Sequence, residues 1–594
     1  MKSFFKITLA SFIGAILAGI VVILIFFTAT VGIISSTSSE EPVDLDTNTI
    51  LKLKLNKKIV DRGSNNPFEG FDFVSMQPQK TLGLNTILKN IDKAALDDNI
   101  KGIFLDLSSL NAGIATVEEI HNALAKFRQS GKFIIAYADY YTQKTYYLAS
   151  IADEIYVNPA GGMEFVGLSA QLLFFKNALE KFGIKPVIIR HGKFKSAVEP
   201  FMLDKMSEAN REQTQTYINS IWNTIINDIS VSRNISTEEL NKIADSLLLK
   251  NNDAAKKLGF IDGTLYRDEL MSLLKDKVNA EKVKDIKFVS LKKFNKVPKK
   301  KKEDEKGLAK DKIAIIYASG EIVSGKSTEK TMGSETVVEA LKKAREDNKV
   351  KAIVLRINSP GGSALASDII WRETVLAKEK KPLIVSMGDL AASGGYYIAC
   401  AADTIVASSN TLTGSIGVFG LLFNVKKLMN EKIGITFDKV NTNKYSDIGS
   451  SFKDMSEEER AFIQNGVEDI YGVFIKHVAD GRGMTVAQVD SIGQGRVWSG
   501  SNALEIGLVD VIGGLDKAVE IAAEKAGLQR YRIKPLPAQK EPFEEFLEEL
   551  TGEAAKTSIF GKNENEFSMM YDYYKTLSNM KGVQARLPFE IIIK

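Results

Sequence analysis

The stretch Lys349-Val-Lys-Ala-Ile-Val-Leu-Arg-Ile-Asn358 has a counterpart 250 positions upstream, Asn99-Ile-Lys-Gly-Ile-Phe-Leu-Asp-Leu-Ser108. The same offset carries Phe133-Ile-Ile-Ala-Tyr-Ala-Asp139 onto Leu383-Ile-Val-Ser-Met-Gly-Asp389 and Tyr146-Tyr147 onto Tyr396-Tyr397. It also carries Ala152-Asp-Glu-Ile155 onto Ala402-Asp-Thr-Ile405. An ungapped match of this length marks a duplication, and its period is far longer than a solenoid repeat, so each copy is a domain. Within the second copy, 353–357 reads as a buried strand and 366–378 as a helix. A second strand covers 383–387, a helical pattern follows to Ala401, and 404–407 is a third strand. Strands alternating with helices predict βαβ units and a largely parallel sheet, so the fold class is α/β in two tandem copies.

Working outward, the copies cover 45–297 and 311–540. Between them, 298–310 contains Pro298-Lys-Lys-Lys-Lys-Glu-Asp-Glu-Lys306, a charge run that reads as a solvated linker. Beyond 540 the repeat stops. The extension 541–594 opens on an acidic pattern with Phe543, Phe546, Leu547 and Leu550 on one face, predicting a docking or oligomer-contact helix. At the other end, Lys2 and Lys6 precede an uncharged run from Ile7 to Ile34, and the next charge is Glu40. That run exceeds both the roughly 20 residues needed to cross a bilayer and the roughly 7–15 of a cleaved signal core. It predicts a single transmembrane signal anchor at 7–34. The lysines keep 1–6 in the cytoplasm and send the bulk of the chain outside. In a bacterium this is the inner membrane, with the domains on the periplasmic side.

Composition narrows the function. The 594 residues are too many for one hydrophobic core. With 44% hydrophobic and 26% charged residues, wholesale disorder is excluded. The 78 basic and 74 acidic residues leave a net charge of +4, which gives no reason to expect a nucleic-acid partner. A lone cysteine, Cys400, excludes a disulfide framework, and no ligand cluster suggests a metal.

The chemistry is most legible where the copies differ. Asp389-Leu-Ala-Ala-Ser-Gly-Gly395 puts Ser393 at a strand-to-helix turn with two permissive glycines after it; the first copy has Gln143-Lys-Thr145 at Ser393-Gly-Gly395. Asn358-Ser-Pro-Gly-Gly-Ser363 follows a buried strand and opens a helix, so its amides suit a developing oxyanion. The first copy has Ser108-Ser-Leu-Asn-Ala-Gly113 there. Conversely, Lys193-Phe-Lys-Ser196 aligns with Lys444-Tyr-Ser-Asp447, so Lys195 is unique to the first copy while Lys193 is shared scaffold. One copy lends a unique lysine and the other a unique serine. A serine hydroxyl needs a base to become a nucleophile, and a buried, neutral lysine can be that base. On these residues alone, Lys195 as a surface lysine and Ser393 as a plain helix cap remain open.

Lys195-Ser-Ala-Val-Glu-Pro-Phe201, with Met206-Ser207 after it, and Gly388-Asp-Leu-Ala-Ala-Ser-Gly-Gly-Tyr396 resemble the signal peptide peptidase A family in its long, two-domain form. The resemblance implies a crotonase/ClpP-like fold in each copy and a membrane-anchored homotetramer that degrades remnant signal peptides. It implies Ser393 as nucleophile, Lys195 as general base, Gly362 and Gly394 as oxyanion donors, and no cofactor. Three other readings compete. Acyl-CoA hydration or isomerisation would use the same amides for an enolate. A non-catalytic membrane scaffold would need no nucleophile. A histidine triad through His191 lacks any acid partner that the sequence places beside it.

Overall fold

The computed structural model describes residues 44–64, 81–298, 309–328, 330–539 and 583–586, with short pieces between 71 and 78 and isolated positions before 22. Most of the anchor at 7–34 and of the charge run at 298–310, and the acidic pattern after 540, lie outside the described residues. Among the described residues, no helix is long and apolar enough to cross a membrane.

The offset seen in sequence recurs in the elements. Ile100–Leu107 answers to Val350–Ser359, Ile114–Arg128 to Ala364–Lys378, and Phe133–Tyr141 to Leu383–Ala392. Both copies pin their strands with the same polar groups, as buried donors and acceptors require. The Asp153 and Asp403 carboxylates accept from the Ile134 and Leu383 amides, each at 2.8 Å. The Tyr146 and Tyr396 hydroxyls donate to the carbonyls of Phe260 at 3.0 Å and Leu508 at 2.9 Å.

In the first copy, a six-stranded sheet runs Gly263–Thr264, Glu154–Met163, Phe133–Tyr141, Ile100–Leu107, Thr49–Leu53, Phe288–Ser290, every pair parallel. The main path of the second copy's sheet runs Val497–Ser499, Leu412–Gly414, Leu383–Ala392, Val350–Ser359, Lys312–Ser319, Arg532–Leu536. Only its Leu412–Gly414/Val497–Ser499 pair is antiparallel. Helices cover both faces of the central strands, which is why these strands read as unbroken apolar runs rather than alternating ones.

The copies are not two beads on a linker. A third sheet joins them, in the order Thr331–Gly333, Glu321–Val323, Gly361–Ser363, Gln584–Arg586, Phe419–Asn424, Lys185–Arg190. The last strand belongs to the first copy and pairs antiparallel with Phe419–Asn424 of the second. Apolar side chains interleave as well: Ala392, Leu412 and Val497 pack in the first copy's core, and Ile189 packs in the second's. A buried guanidinium completes the junction. Fully buried Arg356 reaches Asp61 through Nε and Glu119 through Nη2, both at 2.6 Å.

Candidate active site

Ser393 closes the Leu383–Ala392 strand and precedes the short helix Gly394–Ala399. Its backbone sits at φ 55° and ψ −114°, a conformation that a residue with a side chain seldom adopts. Its side chain makes no cap hydrogen bond to the helix it precedes. The matching corner of the first copy is relaxed: Thr142 there has φ −67° and caps its helix by accepting from the Thr145 amide. Gln143, at Ser393's place, folds back on the Val166 and Gly167 amides at 2.9 and 3.0 Å. The strained turn frees the hydroxyl for other partners, which is the use to which such strain is commonly put.

Lys195 comes from the first copy, at the entrance to the turn Ser196–Val198. Its loop is held by Gln213 on the long helix Glu208–Arg233. Gln213 Nε2 donates to the Phe194 carbonyl at 3.1 Å and to Ser196 Oγ at 2.9 Å, while its Oε1 accepts from Val497 N of the second copy. Gly495, at φ +82°, lets the chain pass over the lysine, since a Cβ there would fall 2.6 Å from the Lys195 backbone. Ser446, aligned with Lys195 in sequence, lies in an exposed turn.

The two side chains meet inside one chain. Lys195 Nζ lies 2.9 Å from Ser393 Oγ, and both residues are fully buried. Nζ also donates to the Ser415 carbonyl at 3.1 Å and to Ser415 Oγ at 3.0 Å. Burial holds the Lys195 amine well below the ordinary lysine value. A neutral amine has two hydrogens and one lone pair. Two donations to Ser415 leave the lone pair for the Ser393 hydroxyl, so the three neighbours match the neutral form. Ser393 Oγ has one further acceptor, the Gly417 carbonyl at 3.3 Å.

The glycines named from sequence flank this pair. Gly362 lies in the strand Gly361–Ser363, paired with Ile322, and a Cβ on it would fall 2.1 Å from the Ile322 carbonyl oxygen. Gly361, at φ +97°, packs so closely that its Cβ would fall 2.8 Å from Gly394 N. The amides of the Pro-Gly-Gly turn and of the residue after Ser393 thus line one corner beside the hydroxyl. The supporting strand is braced by the first copy: Asp389 accepts from Thr116 N at 2.9 Å and Thr116 Oγ1 at 2.7 Å.

Two residues differ from the sequence reading. An acid does stand beside His191: Glu468 Oε2 lies 2.5 Å from its Nδ1, and the ring stacks on Tyr471. Glu468 comes from a helix 277 positions away, which spacing alone does not reveal; Ser393 is not among this histidine's hydrogen-bond partners. Ser415 enters only with the structure, although its signal in the sequence is of the same kind as that of Ser393. Gly414-Ser-Ile-Gly417 stands where the first copy has Glu164-Phe-Val-Gly167.

The description "Peptidase family S49" matches residues 126–281 and 376–529, one span in each copy. "Protease 4" of Haemophilus influenzae is 39% identical over 446 residues, covering 73% of this chain and 71% of that protein. The chain belongs to peptidase family S49. "Serine protease SPPA, chloroplastic" of Arabidopsis thaliana is 35% identical over 85% of this chain and 74% of that protein. "Protease 4" of Salmonella typhi is 38% identical over 78% and 76%. The description "Clp protease" matches residues 303–411, in keeping with a ClpP-like α/β fold for the duplicated unit. The protein is therefore a serine peptidase of the SppA type.

Proposed function

We propose that this S49 peptidase hydrolyses peptide bonds with a serine–lysine dyad: Ser393 is the nucleophile and Lys195 its general base. The observation that carries the reading is the 2.9 Å contact between Lys195 Nζ and Ser393 Oγ in a fully buried setting that favours the neutral amine. The lone pair of Nζ takes the hydroxyl proton as Oγ attacks the scissile carbonyl carbon. The amides of Gly362 and Gly394 receive the oxyanion of the tetrahedral intermediate. The ammonium then protonates the leaving amine. Water, deprotonated by the regenerated amine, hydrolyses the ester and restores Ser393.

The substrates we propose are remnant signal peptides, and the enzyme works as a homotetramer anchored in the bacterial inner membrane with its domains outside the cytoplasm. The uncharged run 7–34 after two lysines supports the anchor, and the family membership supports the peptide substrate. Ser393→Ala and Lys195→Ala are each expected to lower kcat/KM for a quenched fluorescent signal peptide by at least about 10³-fold. Size-exclusion elution should stay unchanged. Wild-type turnover by either variant would refute the dyad.

A further inference from the structure

Among the described residues of the second copy, three residues other than glycine have a positive φ: Ser393 at 55°, Ser415 at 48° and Gln494 at 52°. Such backbone is costly for a residue with a side chain, persists only where the surroundings hold it, and gathers at functional sites. Ser393 and Ser415 both touch the Lys195 amine. Gln494 lies farther along the chain, between the helix Val486–Ile492 and the strand Val497–Ser499. Between the corresponding first-copy helices Thr237–Asp245 and Asn252–Lys257 stands Ser246-Leu-Leu-Leu-Lys-Asn251, with neither a glutamine nor a glycine.

The backbone and side-chain polar groups of Gln494 are all engaged, and their bonds fall into two sets. One set holds the lysine loop: the Gln494 carbonyl accepts from the Phe194 amide at 2.9 Å, and Oε1 accepts from the Lys193 amide at 3.4 Å. The other set ties Gln494 to its own copy. Its amide donates to Tyr471 Oη at 3.2 Å and Nε2 donates to Asp490 Oδ2 at 3.2 Å, while Tyr471 Oη donates to Asp490 Oδ1 at 2.6 Å. A backbone amide needs an acceptor and a carboxylate needs a donor, so a side-chain carboxamide serves both. The next two residues bond to the serine side: Gly495 N donates to the Ile416 carbonyl and the Arg496 carbonyl accepts from the Ser415 amide, each at 2.7 Å. Three consecutive residues therefore fix both the loop that carries the base and the turn whose oxygens receive its hydrogens. The approach is close: a Cβ on Gly192, at φ +98°, would lie 2.4 Å from the Gln494 carbonyl oxygen.

We infer that Gln494 is a positioning residue for the base: by gripping the loop 192–195 from the second copy, it sets where the Lys195 amine stands between Ser393 and Ser415. This rests on the serine–lysine reading above. The hydrogen-bond partners of Lys195 Nζ are Ser393 and Ser415, so Gln494 takes no proton and acts only through the loop. Lysine carries its amine on a flexible four-carbon stem, so the anchorage of its backbone decides how well Nζ keeps its place. A misplacement of about 1 Å at a reacting group can cost about 10²-fold in rate.

Gln494→Met keeps the length of the side chain and deletes both of its hydrogen bonds. The assay is hydrolysis of a quenched fluorescent signal peptide by the full chain, with active sites counted by endpoint labelling of Ser393 with a fluorophosphonate. Gln494→Met should lower kcat per labelled site by about 10–10²-fold and leave KM unchanged. Tyr471→Phe keeps the ring and removes the hydroxyl that holds Gln494. It should lower kcat by a smaller factor, again at constant KM. The double variant should fall by less than the product of the two single effects, because both act through one contact. Wild-type kcat per labelled site in Gln494→Met, a loss carried by KM, or effects that simply multiply would overturn the assignment. Should Gln494→Met yield no labelled sites, Tyr471→Phe alone decides: a loss in kcat at constant KM supports the role, and wild-type kcat overturns it. Lys195→Ala is measured alongside. If it is inactive while Gln494→Met turns over like the wild type, the positioning role is refuted and the dyad stands. Wild-type turnover by Lys195→Ala would refute the dyad, and the positioning role with it.

Discussion

At the scale of single residues, the duplication supplies its own control. Gln143 and Ser393 occupy the same corner of the same fold, and each takes a different backbone conformation. Gln143 satisfies neighbouring amides and Thr142 caps the helix, whereas Ser393 caps nothing and offers its hydroxyl to Lys195. Ser415 does for the amine what Gln143 does for the backbone: it fixes an orientation. Its two oxygens accept from Nζ, and acceptors favour the ammonium over the amine. The active form requires neutral Lys195, so kcat/KM should rise with pH along a limb lying well below 10.5. Ser415→Ala removes one acceptor. The limb should therefore move to lower pH, while the plateau falls about 10–10²-fold as the amine loses its orientation. A pH–rate profile reads both effects; a fallen plateau with an unmoved limb would mark Ser415 as merely structural.

At the scale of elements, the Leu383–Ala392 strand carries Ser393, and the N-terminus of the Ile114–Arg128 helix braces it from the other copy. Thr116 gives Asp389 both an amide and a hydroxyl bond, and Gly113 lies so close that a Cβ would fall 2.1 Å from the Asp389 carboxyl carbon. Asp389 is half-buried, and desolvation raises its carboxyl above the ordinary value. Thr116→Val keeps the shape and deletes one bond to this half-buried acid. It should cost about 1–3 kcal/mol, read from a urea midpoint at constant slope. Next along the same helix, Glu118 accepts from the Ser409 and Asn410 amides, each at 3.0 Å, and burial raises its carboxyl to about 7. The helix was legible in sequence by its match to 364–378, but its contact with the partner copy was not, because periodicity reports which face is apolar and not what covers it.

At the scale of the whole molecule, the two copies form one enzyme because neither closes its own site. Arg356, Asp61 and Glu119 lie at the seam, the guanidinium in contact with both carboxylates and fully buried. Arg356→Met would leave two buried acids uncompensated, at a cost of about 3–5 kcal/mol in a denaturant titration. Replacing all three with apolar residues of similar volume should recover most of that loss, since a complete buried ion cluster contributes little net stability. If the triple variant were no more stable than Arg356→Met alone, the cluster would not be the source of the penalty.

What the sequence determined alone is what repeats. A constant offset over strands and helices disclosed two α/β copies, and the positions where the copies diverge singled out Ser393, Lys195 and the glycine turn. Strands of five to ten residues with buried runs leave a pattern that a reader can follow. Tertiary structure decided what is brought together from afar: an amine and a hydroxyl 198 positions apart, a histidine and an acid 277 apart, and a C-terminal strand of three residues seated on the glycine turn. A three-residue strand has too few alternations to register as a strand, and its partner is chosen by the slot it fills rather than by its own neighbours. Local chemistry is written in the chain, whereas juxtaposition depends on how two cores pack against each other.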